Sequence, residues 1–257
     1  MCTRYVVAVN DTRSSGNALA WARARARRTH IPLITVRVEP DSDTTTAGSS
    51  EEIVLRGPIS HTLAGFAQSD DLLVIGTGKT GFIHARGYGA RGIQIASTVR
   101  SSVAVIPDVD LRFRTGVVAG IDHAATAVLV ASVADADAAA LGEPLQLIHS
   151  SFGRSTPANA ADTRSELAAA TAAVKERWPT VVVRSRSTSR PAPEALLDAS
   201  RNATLLVLGP GCSQPDSPFA LVIHDVLVNI NAPVLIARTA VNEPASSFGH
   251  LSISGEG

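Results

Sequence analysis

Cysteine is scarce in this chain: among 257 residues there are two, Cys2 beside the initiator and Cys212 far along. Two such thiols build no disulfide framework, which excludes a stapled secreted scaffold and fits a reducing compartment. An excess of either charge is also missing. Lys+Arg and Asp+Glu are 23 each, so the formal net charge is zero, and no global field draws the protein to nucleic acid or anionic lipid. The apolar runs stop short of membrane-spanning length, and no basic and apolar leader precedes Tyr5-Val6-Val7-Ala8-Val9. A cytoplasmic protein, neither exported nor inserted, is the expectation. What remains is a chain with 45% apolar and 18% charged residues, enough to fill the core of one large domain or two ordinary ones. One local basic run, Arg23, Arg25, Arg27 and Arg28, alternates with alanines. On a helix this pattern predicts a solvated arginine arc, with Leu19, Trp21, Ala22 and Ala26 turned inward.

An internal repeat organises the rest. Val6-Val7-Ala8-Val9-Asn10-Asp11 matches Val117-Val118-Ala119-Gly120-Ile121-Asp122, and Pro32-Leu33-Ile34-Thr35-Val36 matches Pro144-Leu145-Gln146-Leu147-Ile148. Leu72-Leu73-Val74-Ile75-Gly76-Thr77-Gly78 then pairs with Leu205-Leu206-Val207-Leu208-Gly209-Pro210-Gly211, and Val103–Ile106 with Val234–Ala237. Continuous apolar strands separated by helical segments predict parallel sheets covered on both faces. The fold class expected is therefore α/β, as two tandem doubly wound domains, 1–110 and 115–240, superposing on one another with separate sheets. Residues 241–257 read as a disordered tail. The halves differ at one place. A helix around Ala161–Arg177 has no counterpart in the first half, where only the polar stretch 40–50 stands, so the first domain lacks one crossover helix. A partner surface is expected on the sheet face left open.

Ligands of open parallel sheets sit beyond the carboxyl ends of the strands where strand order reverses. Two loops meet that description, Asn10-Asp11-Thr12 and the segment from Gly76 to Gly92. The second holds six glycines and three cations, Lys79, Arg86 and Arg91. Its flexible N–H groups and the helix entered at Ile93 suit a phosphate cradle, while the same glycines equally permit a tortuous surface loop. Gly78-Lys79-Thr80 is not a P-loop, because that motif needs a glycine where Leu73 stands.

The acidic tip of the first strand, Leu72–Gly76, the glycine loop, the helix and the closing Val103–Ile106 strand together resemble the universal stress protein family, over nearly all of both halves. The resemblance implies an adenine nucleotide α-hydrolase-like, Rossmann-like fold and a stress-response role without catalytic machinery. In the family's nucleotide-binding members a Gly-x2-Gly-x9-Gly-(Ser/Thr) loop holds the ATP phosphates and a strand-one Asp lies near the adenosine. Carried over, it implies one ATP, with Mg as its companion, in the first half. Its phosphates would lie against Gly76, Gly78, Lys79, Gly89, Ala90 and Arg91, and its adenosine near Asn10 or Asp11, Thr12 and Val38. Gly76 and Gly78 fit only with one residue missing between them, and Gly89-Ala90 only with one added. Ala90 also replaces the hydroxyl residue, losing a hydrogen bond of about 1.5–3 kcal/mol. Asn10 and Asp11 stay alternatives, each also suited to capping a helix. The family's closing strands pair antiparallel in dimers, which here implies an intrachain pair of the two halves and allows a further homodimer.

In the second half Pro210, Pro215 and Pro218 remove N–H donors and Asp216 repels phosphate, so that half reads as a scaffold. The seven histidines show no metal-ligand spacing and are assigned to surface or loop positions. Ser213, Asp216 and His224 lack a nucleophile elbow. Two further readings compete with the nucleotide-binding regulator: a ligand-free interaction module, and an α-hydrolase-type enzyme, whose Ser-Gly-Gly-x-Asp-Ser loop is absent.

Overall fold

The computed structural model describes residues 2–40, 52–78, 90–122, 124–152, 157–210 and 218–239. In the first half, strand β1 (Arg4–Ala8) leads into helix α1 (Arg13–Thr29), followed by β2 (Leu33–Glu39), β3 (Glu52–Arg56), α2 (Ile59–Phe66), β4 (Asp71–Thr77), α3 (Ala90–Thr98) and β5 (Ser102–Pro107). The second half repeats the plan with β6 (Val117–Ile121), α4 (Ala124–Leu141), β7 (Leu145–Ser150), α5 (Pro157–Arg177), β8 (Val183–Thr188), α6 (Ala192–Ser200), β9 (Leu205–Leu208), α7 (Pro218–Val228) and β10 (Val234–Ile236). The expected tail, 241–257, and the polar stretch 41–51 lie outside the described residues.

The strands line up in the order β3-β2-β1-β4-β5-β10-β9-β6-β7-β8. Each half is a parallel five-stranded unit of the same internal order. The expectation of two separate sheets is corrected, because the halves join edge to edge into one ten-stranded sheet. The join is the expected pairing of the closing strands, antiparallel, with Val234 opposite Val105, Leu235 opposite Ala104 and Ile236 opposite Val103. An unpaired strand edge seeks backbone partners, and satisfying both edges at once makes the two sheets continuous. Arg238 fastens the seam by donating to the Ser101 and Ala96 carbonyls, and burial lowers its pKa.

Strand alternation splits the core into two layers. One holds Tyr5, Val7, Val117 and Ala119 under α1, α4 and α5, and the other holds Val6, Val36, Val118 and Ile148 under α2, α3, α6 and α7. The register also corrects the alignment of the repeat at its start. Val6 pairs with Leu73 as Val118 pairs with Leu206, so the equivalents are Val6 with Val118 and Asn10 with Asp122. The sequence match had been one residue out of step.

The second strands of the two halves differ on one face. On β7 the face under α5 presents Leu145, Leu147 and buried His149. The equivalent positions on β2, set by the shared pairing with β1 and β6, are Leu33, Thr35 and Arg37. The neighbouring positions on β3 are Glu52, Val54 and Arg56. Arg37 Nε pairs with Glu52 at 3.1 Å and its Nη1 with Asp11 at 3.2 Å. The face on which a partner surface is expected is thus polar and ion-paired, as suits a face that meets water. His149 corrects the surface assignment of the histidines: β7 is an inner strand covered on both faces, and position 149 is 1% exposed.

The arginine arc on α1 is corrected at Arg25. Positions 18, 22 and 25 share one helical stripe, and Ala18 and Ala22 are fully buried. Arg25 follows them inward, forms an ion pair with Asp137 of α4 across the halves and lies over the Trp21 ring. Burial acts first on both groups. The pKa of Asp137 rises for that reason, and that of Arg25 rises because Asp137 and Tyr5 together more than offset the burial.

Candidate functional site

Strand order reverses between β1 and β4 in the first half, and between β6 and β9 in the second. At each reversal the loops leave toward opposite layers, opening a crevice at the carboxyl ends of the strands. The first crevice gathers the loop after β1, the end of β2, the end of β4 and the start of α3. Asn10, Thr12, Val38, Gly76, Gly78 and Ala90 thus come from four different elements to one edge of the sheet. Lys79 and Gly89 lie outside the described residues, as do Ser213 and Asp216. Ala90 and Arg91 begin α3.

The loop after β1 is built by its own hydrogen bonds. Thr12, not Asn10 or Asp11, is the N-cap of α1, its Oγ1 accepting from the Ser15 N–H at 3.3 Å. Asn10 Oδ1 accepts from the Thr12 N–H at 3.1 Å and the Thr12 hydroxyl at 2.6 Å, while the Asn10 N–H donates to Ser15 Oγ at 2.9 Å. Asp11 pairs with Arg37, on the sheet face opposite Val38. Asn10, the equivalent of Asp122, stands two residues past the end of β1.

Gly76 answers a packing need. A Cβ there would stand 2.2 Å from the Ser14 carbonyl oxygen and 2.8 Å from the Ser15 nitrogen, so the absent side chain lets the first turn of α1 rest on β4. Gly78 is exposed and open, with nothing within 4 Å of the Cβ position.

The second crevice contains a cavity of about 340 Å³. Gly120, Ile148 and Leu208 form its floor, Leu196 of α6 and Val222 of α7 its walls. An added Cβ at Gly120 would meet Leu208 Cδ2 at 2.9 Å and Leu196 Cδ2 at 3.1 Å, so those leucine ends would have to shift. Asp122, Ser150 and Asp225 supply its polar edge, and Ser150 is the equivalent of Val38. Phe152 and Leu221 stand at its rim, 62% and 60% exposed. The sequence reading missed this cavity, because its walls come from α6 and α7, whose positions over the sheet carry no motif. Among the described residues there is no cluster of metal-ligating side chains, and no helix is long and apolar enough to cross a membrane.

No family model matches the chain, and no curated protein matches it. Solved structures do. A universal stress protein of Archaeoglobus fulgidus DSM 4304 superposes with a TM-score of 0.71 at 11% identity, over 93% of this chain and 97% of that one. A functionally unknown protein of Pseudomonas aeruginosa PAO1 gives 0.65 at 14% identity, over 93% of each chain. A third, from P. aeruginosa UCBPP-PA14 and provisionally assigned to the universal stress proteins, gives 0.60 at 13% identity over 93% and 94%. The chain has the α/β fold of the universal stress proteins.

Proposed function

We propose that this chain is a tandem universal stress protein, 1–110 and 115–240, acting in the cytoplasm as a non-catalytic stress-response regulator that binds one ATP in its first half. The observation that carries the reading is the convergence of Asn10, Val38, Gly78 and the start of α3 at the reversal between β1 and β4. A helix start such as that of α3 offers N–H groups and a partial positive charge suited to a phosphate. Lys79 and Arg91 flank that helix start in sequence and offset the hydrogen bond lost with the hydroxyl at Ala90. Asn10 is the adenosine contact, Gly89 completes the cradle, and Mg accompanies the phosphates.

A second reading, a ligand-free interaction module, is favoured by two contacts. Gly76 is consumed by helix packing, and the Thr12 hydroxyl by the α1 cap. Calorimetric titration of ATP with Mg into protein stripped of carried-over ligand decides between them. Saturable binding that is lost when Gly89→Val and Lys79→Ala are combined supports the nucleotide reading. Silence at millimolar ATP, or affinity unchanged in the double variant, supports the module.

A further inference from the structure

We propose that the seam between α4 and α5 binds a neutral ligand made of an apolar body and a hydroxyl head, with the head against Asp135. A cavity of about 480 Å³ lies along this seam, within the range of small-molecule sites, about 300–1,000 Å³. Its described lining residues belong to α4 and α5 alone, and none is shared with the cavity at the second crevice. The space follows from the sequence of the two helices. Ala127, Ala131 and Asp135 recur at intervals of four and share one stripe of α4, as Ala169, Ala173 and Arg177 share one of α5. Methyl groups facing one another stop short of filling the seam, and Val128 at its margin is 75% exposed. An apolar body that enters takes these surfaces out of water.

The polar end of the seam is built but incomplete. Asp135 is 3% exposed and lines the cavity, and burial raises its pKa. Three neighbours act against that rise: the Arg177 guanidinium, the Trp178 indole and the Ala136 backbone N–H. Arg177 Nη1 stops 4.0 Å from Asp135 Oδ1, outside hydrogen-bond reach, and its guanidinium lies over the Trp178 ring, 5.8 Å from the centroid. Among the described residues Oδ1 accepts no hydrogen bond, and the buried Trp178 N–H donates none. A buried acceptor, a buried donor and a cation thus surround a gap that one small polar group closes. A hydroxyl fits, because it donates to Oδ1 while its oxygen accepts from Trp178 or Arg177. It also serves Asp135 in either protonation state, giving a hydrogen bond to the carboxylate or taking one from the acid. With Arg177 already beside Asp135, a charged head adds an unmatched charge and must be desolvated, which favours a neutral one.

Titration of the full chain with 3-phenylpropan-1-ol and with its methyl ether, read by calorimetry and NMR, tests the proposal. The chain has two tryptophans, so separate indole N–H resonances report on this seam and on α1. The alcohol is expected to bind saturably at millimolar concentration and to shift the Trp178 indole N–H and the amides of Ala131 and Ala170. The ether cannot donate to Oδ1 and is expected to bind about tenfold more weakly, the scale of one hydrogen bond to a charged group. Asp135→Asn brings a donor of its own and is expected to narrow the gap between the probes. Ala170→Leu fills the seam and is expected to abolish binding of both. Circular dichroism checks the fold of each variant, and the comparison of probes on the parent protein stands without them. No saturable alcohol binding at millimolar concentration, the result if the gap holds water alone, overturns the proposal. So does equal affinity for the two probes, a Trp178 resonance that does not move, or alcohol affinity unchanged in Ala170→Leu. Binding of ATP in the first half is a separate reading, and its failure leaves these expectations as they are.

Discussion

Replacing Gly76 by alanine tests the claim that this glycine serves packing. The new Cβ falls 2.2 Å from Ser14 O and 2.5 Å from Ser14 C, both backbone atoms in the first turn of α1, whereas ordinary contact begins at 3.4 Å. The helix end must therefore lift by about 1.2 Å, or β4 must retreat by as much. Forcing a methyl into a filled space costs about 1–3 kcal/mol. In a chain of this size each kcal/mol lowers Tm by about 2–4 °C. Gly209, the repeat equivalent, is the internal control. Its Cβ would meet Val130 Cγ2 at 3.3 Å and Thr126 Cβ at 3.4 Å, side-chain atoms that yield by a few tenths of an ångström. Gly209→Ala is expected within about 0.5 kcal/mol of the parent, since the entropy gained from the unfolded chain, about 0.4–1 kcal/mol, offsets slight crowding. Urea denaturation of both variants measures the difference. If Gly76→Ala proves as stable as Gly209→Ala, α1 does not rest on β4 as described, and the glycine is free for a ligand.

The buried pair between the halves makes a second prediction: Arg25→Met strands the Asp137 carboxylate and costs about 3–5 kcal/mol, while Arg25→Met with Asp137→Leu returns to the parent stability or exceeds it by about 1–4 kcal/mol. A denaturation series on the three proteins reads both values. The pH dependence of Arg25→Met has a definite sign. Burial raises the Asp137 pKa above the ordinary 3.8, so the folded state holds that proton more tightly than the unfolded one; the penalty is absent below 3.8 and grows as pH rises through the folded value. Urea midpoints of Arg25→Met, compared with those of Arg25→Met/Asp137→Leu, are expected to recover on acidification from pH 7; a fall in that comparison refutes the assignment. In the connection between the halves, Arg112 holds the Asp110 carboxyl down to about 2 through a side-chain hydrogen bond. Carbon-detected NMR titration is expected to find that midpoint, and to find it moved up toward 3.8 in Arg112→Ala.

Much of this architecture was legible along the chain. Strand periodicity and helix spacing live within windows of ten or so residues, and the repeat supplied the same message twice, so the fold class and the pairing of the closing strands could be anticipated. The candidate loops at 10–12 and 76–92 followed from the rule that places ligands at strand carboxyl ends. The register of the repeat at its start did not, because two strands that are both Val-rich align equally well when slid by one residue, and only backbone pairing with β4 and β9 fixes it.

Tertiary structure decided what depends on faces meeting from distant parts of the chain. Arg25 reads like Arg23 or Arg27 in a helix of alternating Ala and Arg, and it is buried only because Asp137, 112 positions away, stands opposite it. Thr35 and Arg37 look like ordinary interruptions of a strand until β2 is laid against β7, where the same positions are Leu147 and His149, packed with α5. The cavity of the second half belongs to the same class. No residue of it is unusual in sequence, and its chemistry arises because α6 and α7 close apolar walls over strand ends edged by carboxylates. Local pattern determines which elements form, since their hydrogen bonds and apolar periods are near in sequence. Packing determines which side chains share a space, and that is settled by the sheet that joins the two halves.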